Sequence, residues 1–166
     1  MSIAISLLAL LATFYQLYLQ RIHNERSLRP LGQIVLSDRG AKIFVHIINN
    51  GVGPMIIDKV MFTKDRISSN NIEDLLNLAP KSYMHDVVSA ETVQKVILPG
   101  GFLEIFGTTF DGHTSEKAKG NVITQLAPLD LKVNYRDIYD NKFTVSRNLH
   151  WFSRHILNEE IDSSHK

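Results

Sequence analysis

Hydrophobic and polar positions change their rhythm along the chain. Residues Ser2 to Leu19, SIAISLLALLATFYQLYL, carry no charge, and Gln16 is the one strongly polar member. About 18 residues at about 1.5 Å each make roughly 27 Å of helix, close to the ~30 Å hydrocarbon core of a bilayer. The segment is terminal and apolar nearly all round, which predicts a membrane-spanning helix rather than an apolar helix buried in the domain. A cleaved signal peptide would need a basic start and a small-residue cleavage site. Here Met1 and Ser2 precede the run and Tyr15, Gln16, Leu17 and Tyr18 follow it, so an uncleaved anchor is expected.

From Pro30 onward the period drops toward two. QIVLS (Gln33 to Ser37) and IFVHIIN (Ile43 to Asn49), joined by DRGAK, predict a hairpin. The second run is apolar on both faces except for His46, as a central strand would be. MIIDKVMF (Met55 to Phe62) is a third strand, and ETVQKVIL (Glu91 to Leu98) is expected to pair with FLEIFGTTF (Phe102 to Phe110) across a Pro-Gly-Gly turn. The cleanest alternation comes late. Leu129, Leu131, Val133 and Tyr135 oppose Asp130, Lys132 and Asn134; then Phe143, Val145 and Leu149 oppose Lys142, Thr144, Ser146 and Asn148, with Arg147 interrupting the inward row near a rim. Asp140-Asn141 supplies the turn between these two runs.

Helical patterning is subordinate. NNIEDLLNLA offers Asn71 as an N-cap and Ile72, Leu75, Leu76 and Ala79 at helical spacing, while TSEKAKGNVITQLA reads as a short helix or a loop because Gly120 splits it. About seven short strands between turn signals predict a mainly β fold: an N-terminal transmembrane helix followed by an antiparallel immunoglobulin-like β-sandwich with one or two short helical insertions. The expected organisation is an anchor helix over residues 1–20, a basic juxtamembrane linker over 21–30, the sandwich over 31–157 and a polar tail over 158–166.

The segments NNGVGPMII, ILPGG, NYRDIYDNKF and RIHNERSLRP resemble a pattern of uncharacterised bacterial membrane-anchored small proteins, which have an N-terminal transmembrane helix and an immunoglobulin-like β-sandwich. The resemblance covers most of the chain and implies a scaffold; it implies no activity, because its motifs are turn and strand-edge features. YDNK departs from the pattern, which has a glycine in the last turn.

The helix flanks give an orientation. Arg21, Arg26 and Arg29 follow the apolar run with one opposing Glu25 among them, and only the amino group precedes it. The positive-inside rule then places the C-terminal domain in the cytoplasm, at the inner membrane of a bacterium, with Tyr15 and Tyr18 at the interface and the arginines near anionic headgroups. Ser2, Ser6, Ala9, Thr13 and Gln16 form one small or polar stripe, extended by Gln20. Small residues let backbones approach, so Ser6, Ala9, Thr13 and Gln16 predict helix association and a homo-oligomer.

Composition narrows the chemistry. Lys and Arg total 18 against 17 Asp and Glu, so no global field points to a nucleic acid polymer. The absence of cysteine excludes disulfides, thiolate zinc sites and a cysteine nucleophile. NNGVGPMII leads into a strand, has no lysine or serine after its glycines, and loses a donor at Pro54; it predicts a bend with Gly51 or Gly53 at positive φ, not a phosphate loop. The 7 histidines show no metal-ligand spacing, and His46 is expected to be a satisfied core histidine. Asp137, Tyr139 and Asp140 lack the calcium-loop pattern and fit Asx-type turn capping. No catalytic, metal or cofactor residue is assigned, and no enzyme is expected. Trp151 and Phe152 are candidates for partner docking.

The expected function is a single-pass membrane-anchored binding or adaptor module with a protein partner, acting within a bacterial multi-protein system. The alternative is a ligand-gated effector of a bacterial antiviral defence system, sensing a small nucleotide second messenger; a third is an unrecognised enzyme.

Overall fold

The computed structural model describes residues 2–79, 82–86, 95–111 and 116–154. The apolar N-terminal run forms helix α1, Ser2–Ser27, which continues through Arg21 and Arg26 before the chain turns. Two antiparallel sheets follow. The first has the order β1 (Gly32–Ser37), β2 (Lys42–Asn49), β6 (Phe102–Thr109). The second runs β4 (Ile67–Ser69), β3 (Met55–Lys64), β7 (Asp130–Arg136), β8 (Lys142–Asn148), with β5 (Lys95–Ile97) paired to the start of β3. The mainly β reading with an N-terminal apolar helix is what the structure shows.

One core lies between the sheets. Ile43, Val45 and Ile47 of β2 meet Val60 and Phe62 of β3 and Leu131 and Val133 of β7, all buried. The alternation read in the last hairpin is present: Leu131, Val133 and Tyr135 are buried, and β7 pairs with β8 from Asp130↔Asn148 to Arg136↔Lys142. Burying each such aliphatic side chain contributes roughly 1.5–3 kcal/mol, which must offset backbone ordering of roughly 1–2 kcal/mol per residue. Arg147 sits in the inward row of β8 and donates from Nη1 to the Ile34 carbonyl at 2.6 Å, closing the side of the sandwich where β8 and β1 meet.

Helix α2, Glu116–Leu126, runs unbroken through Gly120 and buries Val122, Ile123 and Leu126. Burial of that face outweighs the ~1 kcal/mol cost of one interior glycine. Gln125 and the Asn77 backbone exchange two hydrogen bonds, at 2.6 and 3.0 Å, and tie α2 to the loop opposite.

Three expectations are corrected. β5 does not pair with β6: it lies in the second sheet, so Pro99-Gly100-Gly101 crosses between sheets instead of closing a hairpin. The Glu91 to Leu98 run is described only in part, since residues 91–94 fall outside the described residues. NNIEDLLNLA gives one 3₁₀ turn, Ile72–Leu75, capped as expected by Asn71, whose side chain accepts from Glu73 N at 3.1 Å. Its Leu76 is already extended, with φ −106° and ψ 141°. Gly51 and Gly53 do not take positive φ; Gly40 (φ 60°) and Gly100 (φ 71°) do. The residues expected beyond Arg154, including the polar tail, lie outside the described residues.

Candidate functional site

Strand directions define one end of the sandwich. β2 ends at Asn49, β3 begins at Met55 and β7 ends at Arg136, and Ile56 opposite Arg136 puts these points together. The loop 50–54 and the β7–β8 turn 137–141 therefore share the end from which α1 departs. Asp65-Arg66, between β3 and β4, lies at the opposite end.

The chain leaving α1 is laid onto the glycine loop. A Cβ on Gly51 would fall on the Arg29 carbonyl and Leu31 nitrogen, and one on Gly53 on the Leu28 carbonyl. These glycines serve close backbone approach, which explains why their φ need not be positive. Val52 N donates to the Arg29 carbonyl at 3.3 Å, and Asn50 N to that of Leu31 at 2.8 Å. Asn49, fully buried, completes the joint. Its Nδ2 donates to the carbonyls of Gly53 (2.8 Å) and Ile97 (3.1 Å), and its Oδ1 accepts from Leu31 N (3.2 Å) and Gly51 N (3.0 Å). Both donors and both lone pairs of the amide are used. Sequence inspection singled out the glycines but not Asn49, whose position before the loop was the available signal.

Along α1 every described side chain of the apolar run is exposed, and the helix is long and apolar enough to cross a membrane. Ser6, Ala9, Thr13 and Gln16 are all exposed, and Thr13 Oγ1 donates back to the Ala9 carbonyl at 2.9 Å. Tyr15 and Tyr18 are exposed within the two turns before Arg21, which pairs with Glu25 at 3.0 Å. Arg26 is exposed at the end of the helix. Arg29 lies beyond it, its guanidinium 4.5 Å from the Phe143 ring centroid.

On the outer face of the first sheet, His46 is sandwiched. Its ring stacks on Phe44 at 4.1 Å and on Phe102 at 4.5 Å, and Nε2 donates to Glu104 Oε2 at 2.9 Å. The residue is 8 % exposed and satisfied, as expected, though on the outer face and not between the sheets. Gly107, opposite Phe44, leaves room for the Glu104 carboxylate, onto which a Cβ there would collide. Phe102 remains 60 % exposed and caps the stack. Phe44, Phe102 and Glu104 were not singled out from the sequence; aromatic rings at alternate positions of one strand were the signal.

An open groove of about 850 Å³ occupies the second sheet near the β7–β8 turn. Lys59, Lys132 and Lys142 line it and make no ion pair among the described residues, while Arg136 pairs with Asp58 at 2.9 Å and with Asp140. Those two carboxylates hold the Arg136 guanidinium above its ordinary pKa. In the turn, Asp137 is buried and accepts from Tyr139 N (2.8 Å), Asn141 N (2.9 Å) and Asn141 Nδ2 (2.9 Å), the Asx-type capping expected. Asp140 takes φ 64°, a left-handed conformation that favours glycine.

Phe152, a docking candidate from the sequence, is fully buried and belongs to the core. Trp151 is half-buried beneath the Arg154 guanidinium, 3.2 Å from the ring centroid, and Arg154 pairs with the buried Asp38 at 2.5 Å. Among the described residues, no group of three or more His, Asp or Glu gathers as a metal site.

No family model matches the chain. No curated protein matches it either. Among solved structures, a likeness is found to the archaellum periplasmic stator protein FlaG from Sulfolobus acidocaldarius, at 8 % identity and a TM-score of 0.26, covering 70 % of this chain and 100 % of that one. At that TM-score the likeness supports no conclusion about fold or function.

Proposed function

We propose that the protein is a single-pass membrane-anchored adaptor that binds a protein partner through the outer face of its first sheet. The observation that carries this reading is the Phe44–His46–Phe102 stack. Phe102 is the exposed ring of that stack, an exposed large aromatic being the informative exception on a folded domain, and it rests on His46, which is fixed by its hydrogen bond to Glu104. In this reading α1 spans the inner membrane of a bacterium, the arginines behind it keep the domain cytoplasmic, and the Ser6, Ala9, Thr13 and Gln16 face brings helices together. No catalysis is assigned.

A photocrosslinking amino acid at Phe102, introduced in the full chain in cells, tests the adaptor surface. A discrete adduct with another protein at position 102, lost when Phe44 is changed to Asp and absent for the same probe at Lys132, supports the reading. No adduct at position 102 contradicts it.

A second reading rests on the groove with Lys59, Lys132 and Lys142, which make no ion pair among the described residues and suit an anionic ligand such as a small nucleotide second messenger. A ligand at about 100 times its dissociation constant should stabilise the chain by about 2.7 kcal/mol, so thermal shift against cyclic oligonucleotides separates the two readings.

A further inference from the structure

The β7–β8 turn combines two features that its own folding does not require. It is already fixed by Asp137, which accepts three hydrogen bonds, and by the backbone bonds of Asp137 N to Asn141 O (3.1 Å) and Asp140 N to Asp137 O (3.2 Å). Tight turns are ordinarily built from Gly, Asn, Asp, Ser and Pro. Here the two residues at the tip are Ile138 and Tyr139, 48 % and 41 % exposed. The Tyr139 hydroxyl makes no hydrogen bond among the described residues.

The tip also has a defined place beside the helix. Tyr139 shares a crevice of about 280 Å³ with Leu17, Gln20, Arg21, Asn24 and Glu25 of α1. Leu17, Gln20, Arg21 and Asn24 follow the i, i+3, i+4, i+7 spacing of one helix face. Leu17 lies in the uncharged run and Arg21 is the first charge after it, so Tyr139 is level with the point where the apolar segment ends. The glycine loop meets the chain at Leu28 to Leu31, seven or more residues further on; at about 1.5 Å per residue, the tip reaches roughly 10 Å beyond that loop toward the apolar segment.

We propose that Ile138 and Tyr139 form a second membrane contact, in which the rigid turn dips into the lipid interface beside α1 and fixes the sandwich at one tilt against the bilayer. The proposal rests on the anchor reading of α1. The occupant of this tip is a lipid surface because the crevice it shares with α1 reaches Leu17, in the exposed uncharged run, and tyrosine is enriched where membrane meets water. With the helix as one point of contact and the turn as another, the domain cannot rotate freely about its joint.

Single cysteines decide the matter cleanly, since the chain has none of its own. Ile138→Cys, Ala9→Cys and Asp65→Cys are each introduced in the full chain, labelled with an NBD fluorophore and reconstituted in vesicles of phosphatidylcholine and phosphatidylglycerol containing spin-labelled lipids. The expected result is blue-shifted emission at position 138 quenched best by shallow spin labels, emission at position 9 quenched best by deep ones, and unquenched emission at position 65. Unquenched emission at 138, equal to that at 65 with position 9 still quenched, overturns the second contact and leaves the anchor standing. Unquenched emission at position 9 overturns both.

Discussion

The Asn49 side chain holds Gly53: its Nδ2 donates to the glycine carbonyl at 2.8 Å across the loop on which the chain leaving α1 is seated. Asn49→Ala removes this bond and three others, leaving the buried carbonyls of Gly53 and Ile97 and the part-buried amides of Leu31 and Gly51 without their partner. Each such group costs about 1–3 kcal/mol, partly relieved by relaxation, so a net loss of about 2–4 kcal/mol is expected. Urea unfolding of the full chain in detergent, followed by the fluorescence of Trp151, measures it. A loss under about 1 kcal/mol would mean that the joint contributes little, given the usual value of a single hydrogen bond.

Gly53→Ala addresses the other half of the joint. Its Cβ would fall on the Leu28 carbonyl, backbone that cannot move aside as a flexible side chain would. The expected loss is about 1–3 kcal/mol, the usual cost of overpacking, with greater protease sensitivity between Arg26 and Leu31. Gly40→Ala is a contrasting control. It has open space for a Cβ and carries the strain of φ 60° alone, so it should cost about 1 kcal/mol with no new cleavage near the helix exit.

The β3–β4 hairpin turns on Asp65 (φ 48°) and Arg66 (φ 71°), both in the left-handed region. Two-residue hairpin loops of this kind favour Asn-Gly. Replacing Asp65-Arg66 by Asn-Gly should stabilise the chain by about 1 kcal/mol, read as a higher urea midpoint at unchanged slope.

Tyr83 gives the stability a pH dependence. Burial, and after it the Glu73 carboxylate, hold its phenol above the ordinary tyrosine value. A raised folded-state pKa means that the contribution is fully present below the unfolded-state value near 10.0 and is lost as pH rises through the folded value. Stability should therefore fall above about pH 10, and Tyr83→Phe should flatten that part of the profile while leaving neutral pH nearly unchanged, since the ring packed on Phe106 remains. Equal alkaline losses in both proteins would contradict the assignment.

Periodicity made the larger elements legible. The apolar run became α1, and the alternation from Leu129 to Leu149 became β7 and β8, because burial of one face fixes strand register. The β3–β4 hairpin was invisible because Asp65-Arg66 lacks the Gly or Asn that usually marks positive φ. The Pro99-Gly100-Gly101 turn misled for the reverse reason: it signals a change of direction without saying which sheet the next strand joins. The joint at Asn49 escaped because it depends on residues 18 and 48 positions away, Leu31 and Ile97. Phe152 and Trp151 look alike in sequence, and only packing separates a core ring from one lying under Arg154.

In the proposed reading, α1 anchors the sandwich on the side of the membrane that faces the cytoplasm. Thr144 is exposed on β8, and a cysteine there would be the only one in the chain. Thr144→Cys is labelled in spheroplasts with a membrane-impermeant maleimide, before and after permeabilisation, and the chain is then recovered from carbonate-washed membranes. Labelling is expected only after permeabilisation, of protein that stays in the washed membrane. Labelling of intact spheroplasts, or release of the chain by carbonate, would contradict it.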